Sequence, residues 1–225
     1  MTPPLMLFAA GLGTRMGPLV ADRPKALVPV AGRALIDHAL ALADHAQIPR
    51  RVVNLHHHAE ALRRHLRGRD VILSDETDQL METGGGLRKA LPLLSGSPVL
   101  TLNCDAVWSD PGAIAPLTDA WRDGMDGLLL LVPRDRAHGY RGTGDFLLGE
   151  DGRLTRGPGL VYTGLQLIRT AALEQIEEKA FSLNRLWDIL LDRGTLHGAL
   201  YGGHWCDVGY PQAIPLAEEV LRAHV

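Results

Sequence analysis

The sequence predicts an α/β fold with a Rossmann-like mixed, mainly parallel sheet flanked by helices, and three observations predict it. Short apolar runs alternate with segments of helical periodicity through the first half of the chain. A glycine-rich loop follows the first apolar run directly. Of the 225 residues, 46% are hydrophobic and 22% charged, enough apolar side chain to cover both faces of a sheet.

Taken in order, the strand-like runs are LMLFA at 5–9, VVNL at 52–55, VIL at 71–73, PVLTLN at 98–103 and GLLLLVP at 127–133. Between the first four lie ALIDHALALADHA (34–46), HAEALRRHL (58–66) and GLRKALPLL (86–94), each with apolar residues at helical spacing. From about residue 134 the pattern changes. A polar, glycine-bearing segment precedes a hairpin whose turn is EDGR (150–153), between GDFLL and LTR. The run LVYTGLQLI (160–168) then leads to two short predicted helices, AALEQIEEK (171–179) and SLNRLWDILLD (182–192). A strand-like LHGALYG, a GHWCDVG turn and a helix from Pro211 to about Ala223 complete the order. With no repeat and no long linker, residues 1–225 read as one domain. Residues up to about 133 form its first part, and about 134–225 an extension of the same sheet.

Composition removes several function classes. Net charge is −3, from 26 acidic against 23 basic side chains, so no nucleic-acid or membrane surface held by bulk charge is expected. Cys104 and Cys206 are the only cysteines, too few for a disulfide framework or a CxxC metal motif, and are expected to act as small buried hydrophobes. The opening residues lack the basic region of a signal peptide, which makes a cytoplasmic location the expectation. Three consecutive histidines, His56 to His58, cannot all point one way, and read as a solvated loop rather than a metal site.

The loop LFAAGLGTRMGP (7–18) leaves the carboxyl end of a predicted strand, where open α/β sheets bind ligands. Its glycines let backbone N–H groups approach an anion, and Arg15 adds a full charge, so the loop reads as a phosphate cradle. A Walker A loop needs GxxxxGK[ST], which is absent. A dinucleotide fingerprint needs GxGxxG, but Gly11, Gly13 and Gly17 are spaced one residue too widely, and VVNL carries no acid.

The longer stretch AAGLGTRMGPLVADRPKALVPVAGRALIDHAL (9–40) resembles the signature of the sugar-1-phosphate nucleotidyltransferases, a GxGTRMxPL loop followed by PKxLxPVxGxPLI. The runs ETGGGLRKALPLL (82–94), LNCD (102–105) and HWCDVGYP (204–211) resemble that family's second nucleotide-contacting loop and its two metal-aspartate segments. The short length, ETGGG, GDF and HWxDVG are most similar to the branch that acts on N-acetylmuramate α-1-phosphate with UTP.

The resemblance implies a nucleotidyltransferase fold of the GT-A-like kind. It also implies Mg²⁺-dependent transfer of a nucleotidyl group, UMP from UTP, to a sugar 1-phosphate. Ala10, Gly11, Gly13 and Thr14 would cradle the triphosphate, with Arg15 and Lys25 as the catalytic cations. Glu82, Thr83, Gly84 and Gly85 would line the base and sugar pocket, and Asp105 and Asp207 would hold Mg²⁺. Asn54, Asp145 and Gly164 would face the sugar phosphate. The second lysine that hexose-phosphate members carry in a VEKP-like segment has no counterpart here, which leaves another donor such as Arg141 to serve. Guanylyl or thymidylyl transfer to mannose or glucose 1-phosphate stays open as an alternative, and so does a non-catalytic nucleotide-binding regulatory subunit. Neither nucleic acid nor membrane is an expected partner, and the oligomeric state is left open.

Overall fold

The computed structural model describes residues 2–223. Its first half runs β1 (Leu5–Phe8), the small hairpin β2 (Pro29–Val30) and β3 (Arg33–Ala34), α1 (Leu35–His45), β4 (Arg51–Leu55), α2 (Ala59–His65), β5 (Ile72–Asp75), α3 (Glu82–Leu94) and β6 (Val99–Asn103). There follow β7 (Ala106–Trp108), α4 (Ala115–Ala120), β8 (Gly127–Val132), β9 (Ala137–His138), the hairpin β10 (Phe146–Leu148) and β11 (Leu154–Arg156), and β12 (Val161–Ile168). Then come α5 (Asn184–Asp192), β13 (Leu196–Leu200), β14 (Trp205–Asp207) and α6 (Ala213–Arg222).

Seven strands form one sheet in the order β13-β8-β12-β6-β1-β4-β5. Its first-half strands β5, β4, β1 and β6 are mutually parallel, β12 runs antiparallel between β6 and β8, and β13 is parallel to β8. The mainly parallel, helix-flanked sheet predicted from the alternation of runs is thus what forms. Because successive strand residues face opposite sides, Leu5 and Leu7 enter the core shared with Leu40 and Leu62. Met6 enters the core under Leu87, Leu94 and Leu186 on the other face. A third cluster joins Met16 and Val28 of the opening loops to Val107, Cys206, Val208 and Val220. That cluster ties the glycine loop to β14 and α6 and so brings distant parts of the chain to one end of the sheet.

Three expectations are corrected. Helix α3 starts at Glu82 rather than Gly86, although three glycines within its first five residues oppose helix formation. Tertiary packing overrides them: the Gly84 and Gly85 amides both donate to the Phe181 carbonyl, at 2.8 and 3.1 Å. The segment 171–179 holds only a short 3₁₀ turn, Ala171–Gln175, because residues 176–181 are pulled onto α3 instead. Arg88 donates to the Ile176 carbonyl at 2.5 Å and to that of Glu178, and its guanidinium lies over the Phe181 ring. Finally, GHWCDVG is no simple turn. Trp205, Cys206 and Asp207 form β14, paired with Trp108, Val107 and Ala106 across a three-stranded sheet.

Candidate active site

The glycine loop leaves the carboxyl end of β1, and its shape follows from Gly13. That residue has φ +65°, and a β-carbon there would stand 2.8 Å from the Lys25 Cβ. Glycine therefore lets the loop fold over the lysine stem, a conformation other residues adopt only at a cost. Lys25 is 8% exposed, and its Nζ donates to Asp105 Oδ2 at 2.8 Å. A lysine buried this deeply needs a charge partner, and Asp105 supplies it.

Asp207 completes the cluster. The Val208 amide donates to the Asp105 carbonyl at 2.9 Å, which sets β14 beside the end of β6. A β-carbon on Gly209 would lie 2.8 Å from Asp207 Oδ2 and 3.3 Å from both terminal nitrogens of Arg15. The close contact of carboxylate and guanidinium with that glycine places them next to each other. Burial pushes the Asp207 carboxyl up to about 6, and the Asp105 charge adds to the rise, while Lys25 and Arg15 oppose it. The four residues expected to carry chemistry or metal, Arg15, Lys25, Asp105 and Asp207, thus meet although up to 192 positions (207 − 15) separate them.

Two cavities flank this cluster. One, of about 350 Å³, is lined by Ala9, Ala10, Gly11, Lys25, Glu82 and Thr83, among others. The second, of about 560 Å³, is lined by Arg15, Asp145, Arg156 and Trp187 among others. Thr83, Asn103 and Ser182 line both, so the cavities adjoin. Among the described residues, the Gly11 and Gly13 amides have no protein acceptor, as a phosphate cradle requires. Glu82 is exposed on the first cavity with φ +57°, a strained conformation for a residue with a side chain.

Several expected contacts fall elsewhere. Asn54 does not face the second cavity: its Oδ1 accepts the Ala9 and Ala10 amides at 2.7 and 3.2 Å, and its Nδ2 donates to Glu76 Oε1 at 2.8 Å. The Ala10 amide is therefore already engaged. Gly84 and Gly85 turn toward the second half of the chain, where β-carbons would strike the Phe181 ring and the Lys179 carbonyl. Glycine at both positions permits this close approach of backbone to backbone. Gly164 lies against Asn103, 2.9 Å from its Cβ if a β-carbon were present, and leaves room for that side chain. Asp145 does line the second cavity, with Oδ1 accepting the Tyr140 hydroxyl and Oδ2 the Tyr162 amide, both at 2.9 Å. Arg141 stacks on Tyr210 at 3.5 Å from the ring centroid.

Sequence reasoning missed Glu76, Asn103, Arg156 and Ser182. Glu76 is fully buried and accepts from Asn54 and, at 3.3 Å, from the Met81 amide. Burial raises its carboxyl pKa, against the lowering by Asn54. An acid three residues past a strand-like run reads as a surface turn, and only the fold reveals that it is enclosed. Cys104 and Cys206 are both buried, with burial raising their thiol pKa values, as expected of small hydrophobes.

Comparison with known proteins agrees with this geometry. Residues 5–202 match the model of the MobA-like NTP transferase domain. The chain is 40% identical over 231 residues to a Caulobacter vibrioides protein named N-acetylmuramate alpha-1-phosphate uridylyltransferase, covering 96% of each. It is 30% identical to the protein of the same name from Neisseria meningitidis serogroup B, over 91% of this chain and 92% of that one. The crystal structure of HddC from Yersinia pseudotuberculosis shares the fold, with a TM-score of 0.80 at 19% identity over 97% of this chain and 99% of that one. A glycine loop at the end of β1, a buried lysine on a strand-end aspartate and a match across most of the chain lead to one conclusion: this protein belongs to the MobA-like NTP transferase family and is a nucleotidyltransferase, as the resemblance of its opening loop implied.

Proposed function

We propose that the protein transfers a uridylyl group from UTP to a sugar 1-phosphate, N-acetylmuramate α-1-phosphate, with Mg²⁺, giving a UDP-sugar and pyrophosphate. One observation carries the reading: Lys25 on Asp105, with Asp207 and Arg15 adjoining, stands where two cavities meet. The names of the two relatives matched over nearly their whole length support the choice of base and sugar.

The acceptor phosphate is a monoester with a second pKa near ~6, so its oxygen is already anionic near neutral pH. That oxygen attacks the α-phosphorus of the triphosphate, the bond from the α-phosphorus to the bridging oxygen breaks, and pyrophosphate departs. No general base is required, and the task left to the protein is to hold two polyanions in line. Gly11 and Gly13 amides with Thr14 cradle the triphosphate. Arg15 offsets charge on the departing pyrophosphate, and Lys25 neutralises the α-phosphate region.

Asp105 and Asp207 offer hard oxygen ligands side by side, one of them a buried carboxyl whose ionisation is unfavourable without a cation. That donor set fits Mg²⁺ bound by one or two carboxylates and substrate phosphate. The ion would supply charge neutralisation at the α-phosphate. Base and triphosphate take the first cavity, bounded by Glu82 and Thr83, and the sugar phosphate takes the second, bounded by Asp145. Residues up to about 133 then serve mainly the nucleotide and the later ones mainly the sugar, with Ser182 reaching across. Among the described residues no helix is long and apolar enough to cross a membrane, and neither membrane nor nucleic acid enters the proposed reaction.

Pyrophosphate release tests the reading. The purified protein with Mg²⁺ is crossed with UTP, GTP, dTTP, CTP and ATP against the 1-phosphates of N-acetylmuramate, N-acetylglucosamine, glucose and mannose. Turnover confined to UTP with N-acetylmuramate 1-phosphate is the expected result. Turnover with another pair keeps the chemistry and changes the substrate, and nucleotide binding without pyrophosphate release from any pair favours a regulatory subunit.

A further inference from the structure

We infer that Arg156 recognises a carboxylate borne by the sugar ring and thereby sets the preference among sugar phosphates. The inference rests on the sugar-1-phosphate reading above and assigns a residue and a chemical class to the second cavity. Three charged side chains line that cavity: Arg15, Asp145 and Arg156. Arg15 sits beside Asp207 at the transfer centre, where phosphate charge consumes it. Asp145 is an acceptor already held by Tyr140 and Tyr162. Arg156 is therefore the cation lining this cavity that phosphate transfer does not employ.

Its guanidinium is held in place from several sides. Nε and Nη2 donate to Asp188 Oδ1 at 3.3 and 2.8 Å, and Nη2 also donates to Asn184 Oδ1 at 3.1 Å. The guanidinium carbon lies 5.4 Å from the Phe146 ring centroid and 5.9 Å from that of Trp187. Two rings and two acceptors fix the plane of the group. Nη1 has no acceptor among the described residues. The pair with Asp188 is exposed, with side chains 43% and 57% accessible, so it contributes little to stability. What it does is hold the guanidinium at the cavity wall, with the two N–H groups of Nη1 left to donate to an anion.

N-acetylmuramate differs from N-acetylglucosamine by a lactyl ether that adds one carboxylate, away from the anomeric phosphate. A site built for the former needs a cation separate from the phosphate-binding ones, and a site built for the latter does not. Arg156 supplies that cation.

The test is the ratio of kcat/KM for N-acetylmuramate 1-phosphate to that for N-acetylglucosamine 1-phosphate, measured at saturating UTP on the whole protein. In Arg156→Ala the ratio is expected to fall on the order of 10- to 100-fold, the worth of a charge-assisted hydrogen bond, through KM of the carboxylate sugar. Arg156→Lys keeps the charge without the planar, anchored guanidinium and recovers part of the ratio. Asp188→Asn keeps the arginine and its Asn184 anchor while removing a competing anion, so KM for the carboxylate sugar falls, and this variant serves if Arg156→Ala does not fold. An unchanged ratio in Arg156→Ala, or equal losses on both sugars, overturns the inference and leaves the proposed function standing. A wild-type protein indifferent to the carboxylate overturns both, and that outcome is visible before any variant is made.

Discussion

Lys25 shows how a single residue gathers its role from its surroundings. Its ammonium is enclosed and paired with Asp105 at 2.8 Å, so truncation removes a charge that the solvent cannot replace. Lys25→Ala is expected to cut turnover by about 10²- to 10³-fold or more, measured as pyrophosphate release with the fold checked by circular dichroism. Turnover near the wild-type value would remove Lys25 from the mechanism. Asp207 carries the opposite burden. Its carboxyl is pushed up to about 6, first by burial and then by Asp105, against an ordinary value of 3.8. A raised carboxyl pKa means that the folded protein holds a proton that the unfolded chain has released, so stability declines as pH rises from about 4 through about 6. In metal-free protein, Asp207→Asn should therefore melt higher than wild type at pH 8, by roughly 1–3 kcal/mol of stability, and show no such gain at pH 4. An equal gain at both values would mean that the ionised carboxylate carries no penalty.

At the scale of elements, two glycines that look alike in sequence separate. A β-carbon on Gly11 meets nothing within 4 Å, whereas on Gly85 it would lie 3.3 Å from the Ala180 Cα and collide with the Lys179 carbonyl. Gly11→Ala should melt normally yet bind nucleotide more weakly, because the methyl group projects where phosphate approaches. Gly85→Ala should lose roughly 1–3 kcal/mol from overpacking. Chemical denaturation and nucleotide titration of the pair check both, and a stable Gly85→Ala would show that residues 176–181 are not fastened to α3. Beneath the loop, Asn54 bridges the carboxyl end of β1 to Glu76, which in turn accepts the amide just before α3. Asn54→Ala leaves Ala9 and Ala10 amides and a buried Glu76 oxygen without partners, at about 1–3 kcal/mol for each buried group so orphaned. KM for the nucleotide should rise more than KM for the sugar phosphate. A larger effect on the sugar phosphate would return Asn54 to the sugar-facing role first expected of it.

Across the whole molecule, the two halves of the chain contribute strands to one sheet. Strand β8 pairs only with β12 and β13 in the large sheet, and β12 is inserted between β8 and β6. Residues 176–183 close on α3 and supply Ser182 to both cavities. A chain ending at Pro133 should show no cooperative thermal transition and no nucleotide binding, whereas an independently folded first half would retain both.

Much of this protein was legible in residue order alone. The alternation of apolar runs with helical periodicity determined the sheet's parallel half, since burial of one helix face and both strand faces demands those spacings. The opening loop, RPKALVPV and the strand-end aspartate determined the class of chemistry. Tertiary structure decided what sequence separation hides. It enclosed Glu76, made β14 out of three residues with too little pattern to register as a strand, and packed Gly84 and Gly85 against residues 179–181. It also brought Arg156 to the wall of the second cavity. Periodicity reports which face of an element is buried, but the partner that covers that face comes from elsewhere in the chain. Contacts between Lys25 and Asp105, or Gly84 and Phe181, therefore exist only once the sheet has formed.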